Sequence, residues 1–484
     1  MSNLLKDKGK MFYFHLIVMF ALFFIIGMLP PFGMITEMGM KVLGAFVAIV
    51  YGWICIDLFW VSVLGFLLLG MTGLMTPASA FSTGLANSTV QTVLLVGAFA
   101  AGLSQLGLGE LIVNFILSKK IIVGRPWLLV LAFALLGVIF GICSKAIFGI
   151  ILLFSILLDL AKKCGYEAKS PAVSFIGCII VYCCIFLPAG FAPYLPTMLM
   201  FGGIFTNSTG VTLPFGKYFV VGLVLSLGIL VVMLLVAKYI VRIDMSKFII
   251  DEQTRQNYAA QKNSKTAKVA FSGLVVYILL LVVPQFMDPT IPIVAFVNNV
   301  GIIGWTIVYM SVFVIWRNEN GEPVLDIAKM FKDVPWVIVM LIMITIPLGN
   351  AMGNAEVGVM ATLVMYLQPI LMNMGITGMY IFVFAFLAVL TQFTHNFVAG
   401  AVLIPLFGSI GINMGANPYV LFFLMFTALN ASFATPAASM NTGFLFGSDV
   451  VDPKQAYLWG WLLILISGIL CLLAIPILTS VLAV

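Results

Sequence analysis

The chain has 484 residues, of which 63% are hydrophobic and only 8% are charged. Soluble globular domains carry about 25% charged residues, so this composition excludes a water-soluble protein and predicts an all-α polytopic membrane protein. The net charge of +6 does not indicate nucleic-acid binding, because the basic residues mark one side of a membrane. The 7 cysteines form no CxxC pair and there are only 2 histidines, so no typical zinc site is expected.

In chain order, apolar runs long enough to span a bilayer predict eleven crossings and two re-entrant hairpins. The crossings are predicted at 11–30, 39–56, 58–75, 89–117, 172–205, 217–241, 269–286, 291–315, 335–367, 418–447 and 456–483. The hairpins are predicted at 127–160 and 378–411. Each arm of the first hairpin has about 16 residues and spans ~24 Å, which is short of a ~30 Å hydrocarbon core.

The Lys and Arg residues predict the orientation, because cytoplasmic loops of membrane proteins carry an excess of them. If the N-terminus is cytoplasmic, all Lys and Arg residues except Lys41, Lys145 and Lys217 lie in cytoplasmic segments. The C-terminus is then outside, and the chain is expected in the cell membrane as a multi-pass protein. The first run is interpreted as a span and not as a signal peptide, because no A-x-A-like site follows it.

A polar segment at 241–268 is predicted to be a cytoplasmic linker between two halves, 1–240 and 269–484. Each half contains a hairpin followed by a span that Pro or Gly interrupts, which are the broken helices 172–205 and 418–447. An odd number of crossings separates the two hairpins, so they enter from opposite sides. We therefore predict two inverted repeats.

The interruptions fall at Pro188 and Gly190 in the first half and at Thr435 and Pro436 in the second. Paired breaks of this kind indicate the midplane binding site of a transporter. The freed backbone groups are costly in lipid unless they line a cavity or contact a ligand, and the N-termini of half-helices favour an anion. The alternative is a pair of proline kinks without a ligand.

Lys145 follows Ser144 at the tip of the first hairpin and is the only charged residue in 126–158. A charge within the bilayer costs about 2.5–3.5 kcal/mol on insertion scales, so it requires a partner or a watery cavity. Three interpretations stay open. The hairpin crosses fully and leaves Lys145 in water, Lys145 pairs with a carboxylate such as Glu356, or its ammonium faces a substrate or replaces a cation. Glu356 is also the candidate for a proton site.

His395 lies between Thr394 and Asn396 at the tip of the second hairpin. A lone histidine in an apolar segment is usually structural, but its position equivalent to the first tip favours a functional role. Ser439 and Asn441 follow the second break. Their side chains can hydrogen-bond a substrate or cap the second half-helix, and the sequence does not distinguish the two.

These features resemble the divalent anion–sodium symporter (DASS) family of the ion transporter superfamily. The resemblance rests on the break Ala434-Thr435-Pro436-Ala437, on His395-Asn396-Phe397 with the downstream Leu403-Ile404-Pro405, and on Cys143-Ser144-Lys145. It implies an elevator-type carrier, a homodimer, a scaffold formed by spans 11–75 and 269–315, and tips that hold sodium and substrate carboxylates.

Both tips depart from the Ser-Asn-Thr pattern of that family. Lys145 and His395 place actual or potential positive charge at or beside the sodium positions, and an ammonium can replace a bound cation electrostatically. We therefore predict a sodium-independent exchanger or proton-coupled carrier of an organic or inorganic anion, foremost a carboxylate. Sodium near Asn396, a carrier of another solute and an anion channel are the alternatives.

The predicted substrate site combines both tips and both breaks, and comprises Ser144, Lys145, Pro188, Gly190, Thr394, His395, Asn396, Thr435, Pro436, Ser439 and Asn441. No cofactor is expected. An enzyme is not expected, because the chain has neither HExxH nor paired intramembrane aspartates. Two Asn-Ser-Thr segments, 87–89 and 207–209, match the glycosylation pattern, which matters only in a cell that glycosylates.

Overall fold

The computed structural model describes residues 2–103, 106, 108–142, 146–186, 191–260, 264–317, 321–332, 334, 336–394, 396–436 and 438–482. These residues form 22 α-helices and no β-strand. Nine of the described helices are long and apolar enough to cross a membrane. The prediction of an all-α polytopic membrane protein is confirmed.

The first half contains α1 (Ser2–Met28), α2 (Glu37–Cys55), α3 (Leu58–Met71), α4 (Pro77–Ala86), α5 (Ser88–Leu103), α6 (Leu108–Leu117), α7 (Pro126–Ile142), α8 (Ala146–Lys163), α9 (Pro171–Ile185), α10 (Pro196–Thr209) and α11 (Phe215–Leu235). Proline begins α4, α7, α9 and α10. The first turn of a helix accepts proline because its missing N–H has no partner there, and its fixed φ suits the helix.

The rest of the chain contains α12 (Glu252–Ala260), α13 (Lys265–Val282), α14 (Pro292–Ile315), α15 (Ile327–Lys332), α16 (Trp336–Gly353), α17 (Val359–Leu390), α18 (Asn396–Asn413), α19 (Pro418–Asn430), α20 (Met440–Gly447), α21 (Pro453–Leu473) and α22 (Ile475–Leu482). Helices α7 and α8 occupy the predicted first hairpin, and α9 and α10 occupy the first broken helix. The end of α17 with α18, and α19 with α20, occupy their predicted counterparts. The inverted repeat stays a prediction.

Residues 336–390 are divided differently from the sequence prediction. Helix α16 ends at Gly353, α17 begins at Val359, and α17 is kinked at Gly375, where φ is 67° and ψ is 174°. The predicted single crossing 335–367 is therefore wrong, and the second hairpin begins at this kink. Glycine adopts a positive φ without steric cost, and apolar residues continue on both sides, so hydropathy alone does not locate such breaks.

The predicted crossing 89–117 is also divided, into α5 and α6, and the short α4 precedes it. Asn87 separates α4 from α5, and its side-chain oxygen accepts from the Thr89 N–H at 2.9 Å. An asparagine oxygen in this position satisfies a backbone donor at the start of a helix. The crossing at 89–117 was predicted from its apolar residues alone, which do not indicate this cap.

Two sets of helices pack among themselves. Helices α1, α2 and α3 pack in succession, and α3 and α4 pack on α16. In the other set, α7 and α8 pack on α9, α10 packs on α18, and α17 and α18 pack on α19. The hairpins and broken helices thus form one packed unit, with α10 also touching α5 and α16.

The mid-chain segment is docked onto both ends of the first hairpin. Ile250 forms a bridge with Val123, and its carbonyl accepts from the Gly124 N–H at 3.2 Å. The Tyr166 hydroxyl donates to the carbonyl of Asp244 at 3.1 Å. Helix α12 then packs on α6. Hydrogen bonds therefore attach this segment to the first half.

The second half contains a long stretch without formal charge. Residues 357–448 include no Asp, Glu, Lys or Arg, although they cover α17, α18, α19 and α20. His395 is the one histidine in the stretch. Apart from His395, the second hairpin and the second broken helix therefore contain only apolar and neutral polar side chains. The neutral polar side chains are the ones that can hydrogen-bond a ligand there.

Candidate functional site

The turn at the tip of the second hairpin lies directly against the second helix break. Gln392 is fully buried in this turn. Its amide donates to the carbonyls of Ala388 at 2.7 Å and Ala431 at 2.8 Å, and its side-chain oxygen accepts from the Ala434 N–H at 2.8 Å. In return, the Thr435 hydroxyl donates to the backbone carbonyl of Gln392. The tip and the break are therefore one hydrogen-bonded unit.

Gln392 pairs backbone groups that the interruption of the helix frees. An unpaired backbone group within a membrane costs several kcal/mol, and a buried amide that both donates and accepts can satisfy an N–H and a C=O together. A further bond runs from the Thr391 hydroxyl to the carbonyl of Leu429 at 3.4 Å. The sequence analysis missed Gln392. A glutamine in an otherwise apolar hairpin was the signal that could have identified it.

Ser439 caps the half-helix that follows the second break. Its hydroxyl oxygen accepts from the Thr442 N–H at 3.3 Å, and the Thr442 hydroxyl oxygen accepts from the Ser439 N–H at 3.0 Å. This reciprocal arrangement is a capping box at the start of α20. Of the two roles left open by the sequence, capping is the one that the structure shows for Ser439.

Four buried side-chain oxygens around this tip and break have no hydrogen-bond partner among the described residues. They belong to Thr394, Asn396, Ser432 and Asn441. Buried polar atoms without partners are uncommon and call for an explanation. Two are amide oxygens, which only accept, and hard cations prefer oxygen ligands. The set suits a small cation or the hydroxyl or protonated groups of a substrate.

The groups that could contact a ligand here are neutral side-chain oxygens. No group of three His, Cys, Asp or Glu side chains within the described ranges could hold a metal ion. Beside the four oxygens, Thr435 is half-buried and Pro436 is exposed at the break. Five predicted site residues, Ser144, Lys145, Pro188, Gly190 and His395, lie outside the described residues.

The first hairpin is also bonded to its break. The Tyr194 hydroxyl, which follows the first break, donates to the carbonyl of Ile142 at 2.7 Å, where α7 ends. Helices α7 and α9 approach closely at Gly137, where a Cβ atom would lie 2.9 Å from the Cβ of Cys183. The absence of a side chain at residue 137 therefore brings the hairpin arm and the broken helix together.

The two breaks face each other through aromatic rings. Phe433, within the second break, lies 4.9 Å from the ring of Tyr182 and 5.0 Å from the ring of Phe186, measured between centroids. Tyr182 is in α9 and Phe186 follows it directly, where the first break begins. Both breaks and the second tip thus share one region of the molecule.

Glu356 lies elsewhere. It is exposed in the turn between α16 and α17, and its carbonyl accepts from the Thr36 hydroxyl at 2.9 Å. The expectation that Glu356 lies within a helical span is therefore wrong, while its role as a proton site stays a prediction and Lys145, its expected partner, lies outside the described residues. The misplaced crossing at 335–367 is the reason, because the helix ends before this residue is reached.

A family model with the description "CitMHS: Citrate transporter" matches residues 45–428 of the chain. The chain belongs to this family. As a member of the citrate transporter family it is a multi-pass membrane protein that transports anions, and it is a transport protein and not an enzyme. The resemblance to the ion transporter superfamily is thus confirmed in its broad form. Membership of the narrower divalent anion–sodium symporter family stays a prediction.

One solved structure gives the same fold for this member of the citrate transporter family. It is the crystal structure of the YdaH transporter of Alcanivorax borkumensis, described as having an unusual topology. The TM-score is 0.57 at 14% sequence identity, over 82% of this chain and 88% of that chain. At this identity the similarity shows the fold alone. No curated protein matches the sequence.

Proposed function

We propose that the chain is a secondary active carrier of a small carboxylate, with citrate as the first candidate, in the cell membrane. The observation that carries this proposal is the bonded unit of second tip and second break in a chain of the citrate transporter family, where the hydroxyls of Thr394 and Ser432, unpartnered among the described residues, can donate to a carboxylate. The predicted site residues at the first tip, Ser144 and Lys145, complete the site. Lys145 supplies the positive charge that an anion requires.

The proposed movement is of the elevator type. The hairpins and broken helices form one packed unit, which supports their movement as a body against the scaffold formed by spans 11–75 and 269–315. Because the second tip and its break are bonded to each other, neither opens alone without exposing buried backbone groups. We propose that the carrier works as a homodimer, with the N-terminus in the cytoplasm and the C-terminus outside.

We propose that transport does not depend on sodium, because Lys145 and His395 place positive charge where a cation would bind. Exchange of anions or coupling to protons then drives the cycle. The four unpartnered oxygens favour the alternative, in which one cation, sodium or another, binds near Asn396. The two mechanisms predict opposite responses to the removal of sodium.

The test is uptake of labelled citrate into proteoliposomes, with sodium replaced by choline. We expect saturable uptake that continues in choline and shows counterflow, which an anion channel does not show. Lys145→Ala should reduce uptake by about 100-fold, because the anion loses the permanent positive charge proposed to bind it. Lys41→Ala, at an exposed position of α2, is the matched control and should transport normally. If citrate uptake stops when choline replaces sodium, the proposal of sodium-independent transport is contradicted.

A further inference from the structure

A cavity of about 520 Å³ lies between α10, α16 and α18, away from the tips. Its polar lining residues are neutral: Asn207, Ser208, Thr345, Asn350, Asn354 and Ser409. None of the described residues that line it is acidic or basic. The volume is ample for a small organic anion with several waters. The lining gives the cavity a polar character in a chain with few polar residues.

The cavity lies along the helices that lead to the proposed substrate site. Helix α10 starts after the first break, and α18 starts at the second tip. Along these helices, the lining residue Ile204 is about 12 Å from Pro196, and Pro405 is about 14 Å from Asn396. The cavity therefore begins about 12–14 Å along these helices from the first break and the second tip, and it extends toward the ends of α10 and α16.

The orientation of the Asn207 amide is determined by a chain of hydrogen bonds. The Thr89 N–H donates to Oδ1 of Asn87 at 2.9 Å, which fixes which end of the Asn87 amide is nitrogen. That nitrogen donates to Oδ1 of Asn207 at 3.3 Å. The Asn207 oxygen therefore faces Asn87, and its amide nitrogen remains as a donor on the other side of the group. The two Asn-Ser-Thr segments of the sequence meet here.

Asn354 is oriented in the same way by a separate bond. Its Oδ1 accepts from the Glu356 N–H at 2.9 Å, which turns this oxygen toward the turn and leaves the amide nitrogen as a donor. The hydroxyls of Ser208 and Thr345 donate to carbonyls of their own helices, at 3.0 and 2.7 Å. The amides of Asn207 and Asn354 thus supply the cavity with N–H donors whose direction the protein has fixed.

Amide N–H donors suit carboxylates, and none of the described lining residues is acidic, although Glu356 is exposed two residues after Asn354. Helices α10 and α16 end at the cavity, however, and helix C-termini carry partial negative charge. This field opposes an anion and keeps its binding weak. Weak binding suits an entrance, since the anion must be held long enough to enter and then leave toward the tips.

We propose that this cavity is a vestibule where Asn207 and Asn354 bind the carboxylates of the transported anion before it reaches the tips. The inference rests on the proposed function, because it takes the transported anion as the ligand. It adds a second binding site that the tips and breaks do not include. On the predicted orientation the vestibule opens to the outside, at the end of the bundle that holds the α1–α2 loop.

The test uses Asn207→Asp and Asn354→Asp in the full chain, with citrate as the probe. Each aspartate keeps the oxygen that its neighbour requires and replaces the free donor with a negatively charged oxygen. We expect KM for citrate uptake into intact cells to rise about tenfold in each variant, because like charges at this distance repel in a partly hydrated cavity. kcat should stay within about twofold, since ground-state and transition-state binding are lost together.

Asn373→Asp is the matched control. Residue 373 is exposed in α17, and 13 helical positions separate it from the lining residue Met360, or roughly 20 Å. Its KM should equal that of the unsubstituted protein. Inside-out membrane vesicles are assayed in parallel, so that the opposite orientation is also covered. An unchanged KM for both vestibule variants in both preparations overturns the vestibule while citrate transport stands, and absence of citrate uptake by the unsubstituted protein overturns both proposals.

Discussion

The two hairpins are attached to their helix breaks in different ways. At the first, the described contact is a hydroxyl bond from Tyr194 to the carbonyl that ends α7. At the second, the buried Gln392 makes three side-chain bonds and accepts a fourth at its backbone from Thr435. A hydroxyl satisfies one acceptor, whereas an amide satisfies acceptors and a donor together. We infer that, of the two contacts between described residues, the one through Gln392 is the more rigid, with 143–145 and 187–190 of the first tip and break lying outside the described residues.

The difference also concerns unused bonding capacity. The second tip and break pair backbone groups through Gln392, yet four of their side-chain oxygens have no partner among the residues that the structure describes. The residue that makes the structural hydrogen bonds, Gln392, is therefore different from the residues whose oxygens are available to a ligand. This division makes the comparison testable, because substitutions in each class should change stability and transport in different proportions.

The largest effect is expected for Gln392→Met, which keeps the side-chain volume and removes every side-chain bond. The Ala434 N–H then loses the partner that the described residues give it and stays buried, at about 1–3 kcal/mol, while the Ala431 carbonyl keeps only the 3.2 Å bond from the Phe433 N–H. We expect citrate uptake to fall by about 100-fold, together with a lower melting temperature, because misplacing a binding group by 1 Å can have this effect. Proteoliposome uptake and a thermal-unfolding assay measure the two quantities.

Gln285→Met is the matched control for this substitution. Gln285 also bridges backbone groups, accepting from the Gly216 N–H at 2.8 Å and donating to the carbonyl of Leu281 at 3.0 Å, but far along the chain from both tips. Its variant should lose stability with uptake largely retained. Equal loss of uptake in the two variants would mean that Gln392 acts only through general stability.

An intermediate effect is expected for Asn396→Ala and Asn441→Ala. Each removes an unpartnered buried oxygen, which is a source of instability in the protein alone. We expect uptake to fall by about 10-fold or more while the melting temperature stays level or rises, the usual exchange of stability against activity. Ser467→Ala removes an unpartnered buried oxygen from α21 and serves as the control, with normal uptake. A stability loss in the two asparagine variants would assign them a structural role instead.

The smallest effect is expected at the first hairpin, for Tyr194→Phe. The change removes one hydroxyl bond, worth on the order of 1 kcal/mol, and leaves the ring in place. We expect uptake to fall by only about 2- to 5-fold. Tyr218→Phe removes a similar bond, from its hydroxyl to the carbonyl of Tyr419 at 2.8 Å, and should leave uptake unchanged. A loss as severe as that of Gln392→Met would show that the first contact is equally rigid.

Hydropathy and polar interruptions were sufficient to predict most of the helical architecture. Prolines and glycines in apolar runs indicated both broken helices, and the hairpin arms occupy the expected residues. Two breaks were missed. Gly375 interrupts a mainly apolar segment, and the predicted crossing at 335–367 includes the polar Asn354 and Glu356 after Gly353, which misplaced Glu356.

The candidate site was predictable as a set of segments but not as a set of bonds. Thr394, Asn396, Thr435, Ser439 and Asn441 all lie in the tip or the break, as expected. The role of Gln392 depends on an acceptor that is 39 residues away in the chain. Only the fold brings Gln392 and this acceptor together. The fold also brings together the two Asn-Ser-Thr segments, which the sequence indicated only as a glycosylation pattern.

The uncharged stretch 357–448 has a consequence for the response of the carrier to membrane voltage. Moving one elementary charge across the membrane potential involves ~2.3 kcal/mol per 100 mV. Helices α17 to α20 carry no formal charge, so their displacement through the electric field is electrically silent while His395 is neutral. Over a complete cycle the charged residues of the first half, Lys145 among them, return to their starting positions, so the steady transport current is that of the cargo and of any accompanying ion and gives their net charge per cycle.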